Sequence, residues 1–223
     1  MKDLLSPPPT SDAPAGRGRP IDRRKDQAIL RAAREVLRLE GPSAVTMERV
    51  AQVAGVSKAT LYRRYPHRQA LLEALVAQKA TRLSRALRAD PPSVAALRAQ
   101  LEAFVTELAG LLCGPEHRRH MQALGELARA GVDLAGIWRR GPAQAHAELS
   151  RFLARAHRAG WLCCDDPDNA AELLLGMAVG LELVRSLYRV PLARHRLAER
   201  HAHAARVVDR FLAWYAAVPA AGR

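Results

Sequence analysis

The stretch TMERVAQVAGVSKATLYRRYPHRQALL, residues 46–72, decides how the rest of the chain is read. Thr46 stands where a helix N-cap belongs, ahead of Met47, Val50, Ala51 and Ala54, which share one face at helical spacing. Gly55 breaks that short helix, because glycine adopts backbone shapes that a side chain opposes. Ser57 caps a second helix carrying Leu61 and Tyr65 four residues apart, and Pro66 closes it. Two short helices joined by three residues, with glycine in the joint, make a helix-turn-helix. Ala51 is small where the helices cross, and Val56 and Leu61 pin the second helix to the first.

That packing leaves Lys58, Ala59, Thr60, Tyr62, Arg63 and Arg64 for the outward side of the second helix. Their chemistry suits the major groove. Lys58 and Arg63 can donate to guanine O6 and N7, and Ala59 or the Thr60 methyl can touch a thymine methyl. Tyr62 and Thr60 can hydrogen-bond phosphates, which sets register without reading sequence. The helix starts at Thr46 and Ser57 offer free N–H groups to phosphates.

Working outward, a first helix is expected from about 22 to 40, with Ile29, Ala33, Val36 and Leu37 on one face and Gly41-Pro42 ending it. A helix from about 67 to 89 follows, with Leu71, Leu72, Leu75, Val76 and Leu83 inward. Beyond Asp90-Pro91-Pro92, helices are expected near 94–112, 116–130, 133–158, 167–189 and 194–217, with Gly141-Pro142 kinking or splitting the third. No strand pattern is present, so the fold class is all-α. Residues 1–20 are rich in Pro and polar residues and read as a disordered arm ending in Arg17-Gly18-Arg19-Pro20. Arg17 and Arg19 suit the strongly negative minor groove, or a merely solvated tail. Three segments are thus expected: the arm at 1–20, a helix-turn-helix domain at 21–67, and a helical domain at 68–223.

Charge agrees. The chain carries +13, and residues 1–90 hold 18 of its 35 Lys and Arg but only 9 of its 22 Asp and Glu. The excess lies around the helix-turn-helix, which favours a polyanionic partner there. Arg outnumbers Lys 31 to 4, which suits phosphate and guanine recognition or else reflects a GC-rich genome whose codons favour Arg and Ala. A membrane-surface role fits poorly, because the basic residues do not line one amphipathic face. No apolar run reaches a membrane span: Glu182 and Arg185 interrupt the longest, Leu173–Leu187. Met1–Gly18 lacks the apolar core of a signal peptide, and Cys113, Cys163 and Cys164 form no C-x-x-C pair. A soluble cytoplasmic protein with free thiols is expected, the vicinal pair being buried and inert or else a redox sensor.

Residues 20–75, and above all Val50-Ala-Gln-Val-Ala-Gly-Val followed by Ser57-Lys-Ala-Thr-Leu-Tyr-Arg-Arg-Tyr-Pro, resemble the DNA-binding domain of TetR-family transcriptional regulators. The resemblance implies that Tyr62 contacts phosphate, that Thr46 anchors its helix to the DNA backbone, and that Arg68 stands where members carry a phosphate-binding lysine. Tyr65 and His67 depart from the usual Phe and small N-cap, and His67 is expected to cap less well. The resemblance further implies a homodimer through the last two helices, an inverted-repeat operator on double-stranded DNA, and repression released by a small molecule. Two readers on two half-sites multiply discrimination. Phe104, Leu108, Met121, Leu124, Trp138, His146, Leu149 and Met177 fall on helices that line the family's cavity and point to a hydrophobic effector, although each also suits ordinary core.

Rival readings are weaker. No nucleotide, metalloprotease or serine-hydrolase signature is present, so no enzyme and no cofactor are expected. His117 and His120 with His146 lack an acidic or Cys partner at metal-site spacing and read as surface histidines. A DNA-binding protein that senses no effector stays open; its carboxy-terminal cavity would be filled.

Overall fold

The computed structural model describes residues 23–112, 123–188, 190–191 and 196–216. Helix α1 (Arg23–Leu39) buries Ile29, Ala33 and Val36, each at most 1% exposed. It stops where Gly41 takes φ +88°, and Pro42 opens a single 3-10 turn, Pro42–Ala44. Helix α2 (Met47–Ala54) and α3 (Lys58–Arg64) follow, with Gly55 between them in the left-handed region at φ +64°. Helix α4 (Arg68–Leu83) then packs against α1. Ile29, Ala33, Val36, Val45, Val50, Ala51, Leu61, Leu71, Leu72 and Leu75 form one apolar core.

The remaining helices are α5 (Val94–Leu112), α6 (helical over 123–129), α7 (Leu134–Arg140), α8 (Pro142–Arg158), α9 (Pro167–Val179), α10 (Glu182–Leu187) and α11 (Leu197–Trp214). A second core gathers Leu97, Leu101, Phe104, Leu149, Phe152, Leu153, Leu174, Val208 and Phe211 from α5, α8, α9 and α11. Helix α4 belongs to both cores. Leu71, Leu72 and Leu75 enter the first, whereas Ala80 and Leu83 enter the second. The first core also takes Leu127 from α6 and Ile137 from α7, so the carboxy-terminal helices help to build the helix-turn-helix unit.

The described residues contain no strand, only an isolated antiparallel bridge between Leu162 and Ala216. Three helices are shorter than their sequence periods predict. The one expected over 67–89 tightens after Leu83 into a 3-10 turn, Ser84–Leu87. The one expected over 133–158 divides at Gly141, with Pro142 starting α8 at a position that needs no N–H donor. The one expected over 167–189 stops at Val179, where Gly180 takes φ +53° and ψ −135°. Gly180 is therefore a helix break, and a Cβ added at Gly176 would meet nothing within 4 Å. No helix among the described residues is long and apolar enough to cross a membrane.

Candidate nucleic-acid interface

Local chemistry builds the reading helix. Thr46 accepts the Arg49 N–H at 3.1 Å and so satisfies one orphan donor of α2. Ser57 does the same for the Thr60 N–H at 3.2 Å, and its hydroxyl donates to Thr60 Oγ1 at 2.9 Å. Leu61 is fully buried beneath α3, which stabilises the docked helix by about 1.5–3 kcal/mol. With Leu61 inward, Lys58, Ala59, Tyr62 and Arg63 are exposed and Thr60 is half-buried. These residues occupy one side of a short helix, within reach of a groove.

Arg64 does not join them. Its Nη1 lies 2.5 Å from Asp26 Oδ1 on α1, with only 13% of the side chain exposed. The expected outward arginine is therefore an internal tie between α1 and the end of α3. The guanidinium turns inward because Asp26 on α1 offers it a carboxylate there. Tyr65, beside this pair, has its phenol pushed above the ordinary 10.0, by burial first and by the Asp26 carboxylate second.

Sequence reasoning missed Glu48. This residue occupies the first turn of α2, and its Oε1 lies 3.6 Å from Lys58 Nζ on α3. The Tyr62 hydroxyl donates to the same oxygen at 3.5 Å. A hydrogen bond from its own backbone N–H holds the Glu48 carboxyl below the usual carboxylate range; burial, the next largest effect, opposes it, and Lys58 and then Tyr62 add smaller pulls downward. The only sequence signal for it was an acid early in a helix, which the helix dipole alone explains. Nearby, Arg49 donates to both carboxylate oxygens of Glu40 and to Gln52, joining α2 to the end of α1.

The approach to α4 also differs in detail from expectation. His67 Nδ1 accepts the Ala70 N–H at 3.2 Å, so the imidazole serves as the N-cap of α4. Arg68 is half-buried and donates to the Pro42 carbonyl at 2.8 Å, fastening α4 to the 3-10 turn. Arg17 and Arg19 lie outside the described residues.

The residues expected around an effector do not meet at one place. Phe104, Leu108 and Leu149 are buried in the second core. Leu124 packs on the first core instead, beside a cavity of about 40 Å³ whose walls include Leu72, Leu75, Val76 and Ile137. Trp138 is 60% exposed, Met177 is 39% exposed, and His146 Nε2 lies 3.2 Å from the Asp168 carbonyl. Met121, like Cys113, His117 and His120, lies outside the described residues. Of the vicinal thiols, Cys164 is buried but Cys163 is exposed, so the expectation of two buried thiols fails for one of them. Among the described residues, no three His, Cys, Asp or Glu side chains are grouped to hold a metal ion.

A capped basic helix set on two supporting helices defines a helix-turn-helix DNA-binding protein. Residues 29–75 match the bacterial regulatory proteins of the tetR family, and residues 99–217 match the carboxy-terminal domain of AefR-like transcriptional repressors. The chain belongs to the TetR family of transcriptional regulators. Its members are DNA-binding transcription factors, not enzymes. Among solved structures, a TetR regulator from Agrobacterium tumefaciens is 26% identical, with a TM-score of 0.67 over 86% of this chain and 95% of that one. The flavonoid-responsive regulator FrrA is 27% identical, with a TM-score of 0.61 over 89% and 100%. A TetR-family regulator from Mesorhizobium loti MAFF303099, 24% identical, shares the fold with a TM-score of 0.66 over 87% and 98%. No curated protein matches the chain.

Proposed function

We propose that this regulator is a homodimeric cytoplasmic repressor that binds an inverted-repeat operator and is released by a small hydrophobic ligand. The observation that carries the DNA half of this reading is the outward face of α3. Lys58, Ala59, Tyr62 and Arg63 stand free of the core while Leu61 anchors the helix. In this reading Lys58, Arg63 and Ala59 meet base edges; Tyr62, Thr60, Thr46, Ser57 and Arg68 hold the backbone; and Arg17 and Arg19 enter the minor groove.

Support for the dimer comes from apolar residues that the single chain leaves uncovered. Leu173 and Met177, one turn apart on α9, are exposed together with Leu181, Leu183 and Val184 beyond Gly180, and Leu197 and Trp214 on α11. A run of exposed apolar side chains such as that on α9 and α10 is of the kind that a partner surface covers. For ligand release, the relative FrrA is named a flavonoid-responsive regulator, and the carboxy-terminal match is to a family of repressors. Release needs differential affinity: a 10- to 100-fold drop in DNA binding corresponds to about 1.4–2.7 kcal/mol of coupling.

A second reading, a regulator without an effector, gains support from Phe104, Leu108 and Leu149, which are packed into core rather than lining a space. Selection of genomic DNA by the purified protein at physiological salt tests the shared part of both readings. An inverted repeat is expected, and binding with no common motif would overturn the regulator reading. Thermal-shift screening against hydrophobic small molecules then separates the two, since a specific ligand raises the melting temperature as ln(1 + [L]/Kd).

A further inference from the structure

Glu48 places a negative charge beside a helix that must approach a polyanion. Its side chain is 54% exposed and sits 3.6 Å from the Lys58 ammonium, on the surface that α3 presents. Like charges a few ångströms apart repel even in bulk water, and more strongly where water is excluded. An acid at this place therefore weakens DNA binding unless the DNA supplies a donor. In the major groove the donors are the amino groups of cytosine N4 and adenine N6. Adenine sets the acceptor N7 next to N6, where a carboxylate is repelled. Cytosine has no acceptor beside N4 on its groove edge, and its partner guanine offers O6 and N7 to a cation.

The spacing fits one base pair. Cytosine N4 and guanine O6 are joined by a Watson–Crick hydrogen bond of about 2.9 Å. Glu48 Oε1 and Lys58 Nζ, an acceptor and a donor, are 3.6 Å apart. We propose that Glu48 and Lys58 read one C·G base pair in each half-site as a unit, Glu48 accepting from cytosine N4 and Lys58 donating to guanine O6 or N7. In the free protein the Lys58 and Glu48 side chains hold each other in place. The proposal rests on α3 being the reading helix and assigns specificity to a residue outside that helix.

The test uses the full chain and a half-site obtained by selection from random DNA. Affinities are measured for all four base pairs at each position, with the unsubstituted protein and with Glu48→Gln, Glu48→Ala and Lys58→Ala. The expected result is one position where C·G is preferred by about tenfold or more. Both Glu48 variants and Lys58→Ala abolish that preference and leave the other positions unchanged, and Glu48→Ala binds random DNA more tightly. Glu48→Gln keeps the side-chain shape, so it carries the test even if Glu48→Ala weakens the start of α2. A purely structural acid would lower the melting temperature and leave base preference intact. The proposal is overturned if both Glu48 variants keep the C·G preference, if Glu48 and Lys58 act at different positions, or if the shared position prefers A·T. Loss of all sequence preference in the unsubstituted protein would instead overturn the assignment of α3, and this proposal with it.

Discussion

Asp26 and Arg64 join the first helix to the last turn of the reading helix across 38 residues of sequence, Nη1 to Oδ1 at 2.5 Å. The contact fixes the angle at which α3 leaves the domain. Neither group is more than a third exposed, so the pair is screened less than a surface ion pair.

Arg64→Ala therefore removes a charged hydrogen bond and leaves a partly covered carboxylate. It is expected to destabilise the protein by about 1–2 kcal/mol, measured by denaturant unfolding. DNA affinity should fall on all sequences alike, because Arg64 positions the helix and reads nothing. A changed base preference in a binding-site selection would place Arg64 in the groove after all.

The exposed residues of α3 should separate by role. Tyr62→Phe is expected to weaken binding to every sequence by a similar factor, since a phosphate contact carries no sequence information. Arg63→Ala should cost about 1–3 kcal/mol on the preferred site and relax one position. Affinity profiling against single-base variants of the operator reads both effects, and a Tyr62→Phe protein with altered base preference would refute this division.

Gly141 marks a close approach. A Cβ there would lie 3.1 Å from the Ile137 carbonyl oxygen and 3.2 Å from Val76 Cβ on α4. Gly141→Ala requires Val76 or the end of α7 to give by a few tenths of an ångström, with an expected loss of about 1 kcal/mol by thermal or denaturant unfolding. Gly136→Ala is expected to cost less. The atoms its Cβ would meet are the ends of Glu73, Asp133 and Gln69, which can swing aside.

The vicinal thiols should react unequally. Cys163 is exposed, whereas burial first, and the carboxylates of Asp166 and Asp165 next, push the Cys164 thiol above its ordinary 9.0. Alkylation of the native protein followed by mass spectrometry is expected to label Cys163 and to spare Cys164. A raised thiol is neutral in the folded state where the unfolded chain ionises. Its contribution to stability is thus intact below pH 9.0 and is lost as the pH climbs beyond it. Equal labelling of both thiols at neutral pH would contradict the burial.

Much of the reading helix was legible because its signals are local. Thr46, Gly55, Ser57 and Pro66 act on backbone groups within four residues, and each does in the structure what its chemistry predicts. His67 was underrated because its capping depends on a ring orientation that residue type does not specify. The scattered places of Phe104, Leu124, Trp138 and Met177 have a similar cause. A helical period shows which residues share a face, but not which neighbour, or none, that face meets.

The amino-acid sequence by itself determined an all-helical chain, the position of its helix-turn-helix and the basic character of the surface around it. Those properties follow from caps, breaks and periods that operate over one or two turns. Only the tertiary structure decided that Arg64 turns inward to Asp26, that Glu48 meets Lys58 and Tyr62, and that Leu127 and Ile137 complete the core behind the reading helix. Each of these depends on the crossing angles of helices distant in sequence, which are set by how whole side-chain ridges pack and by no local run of residues.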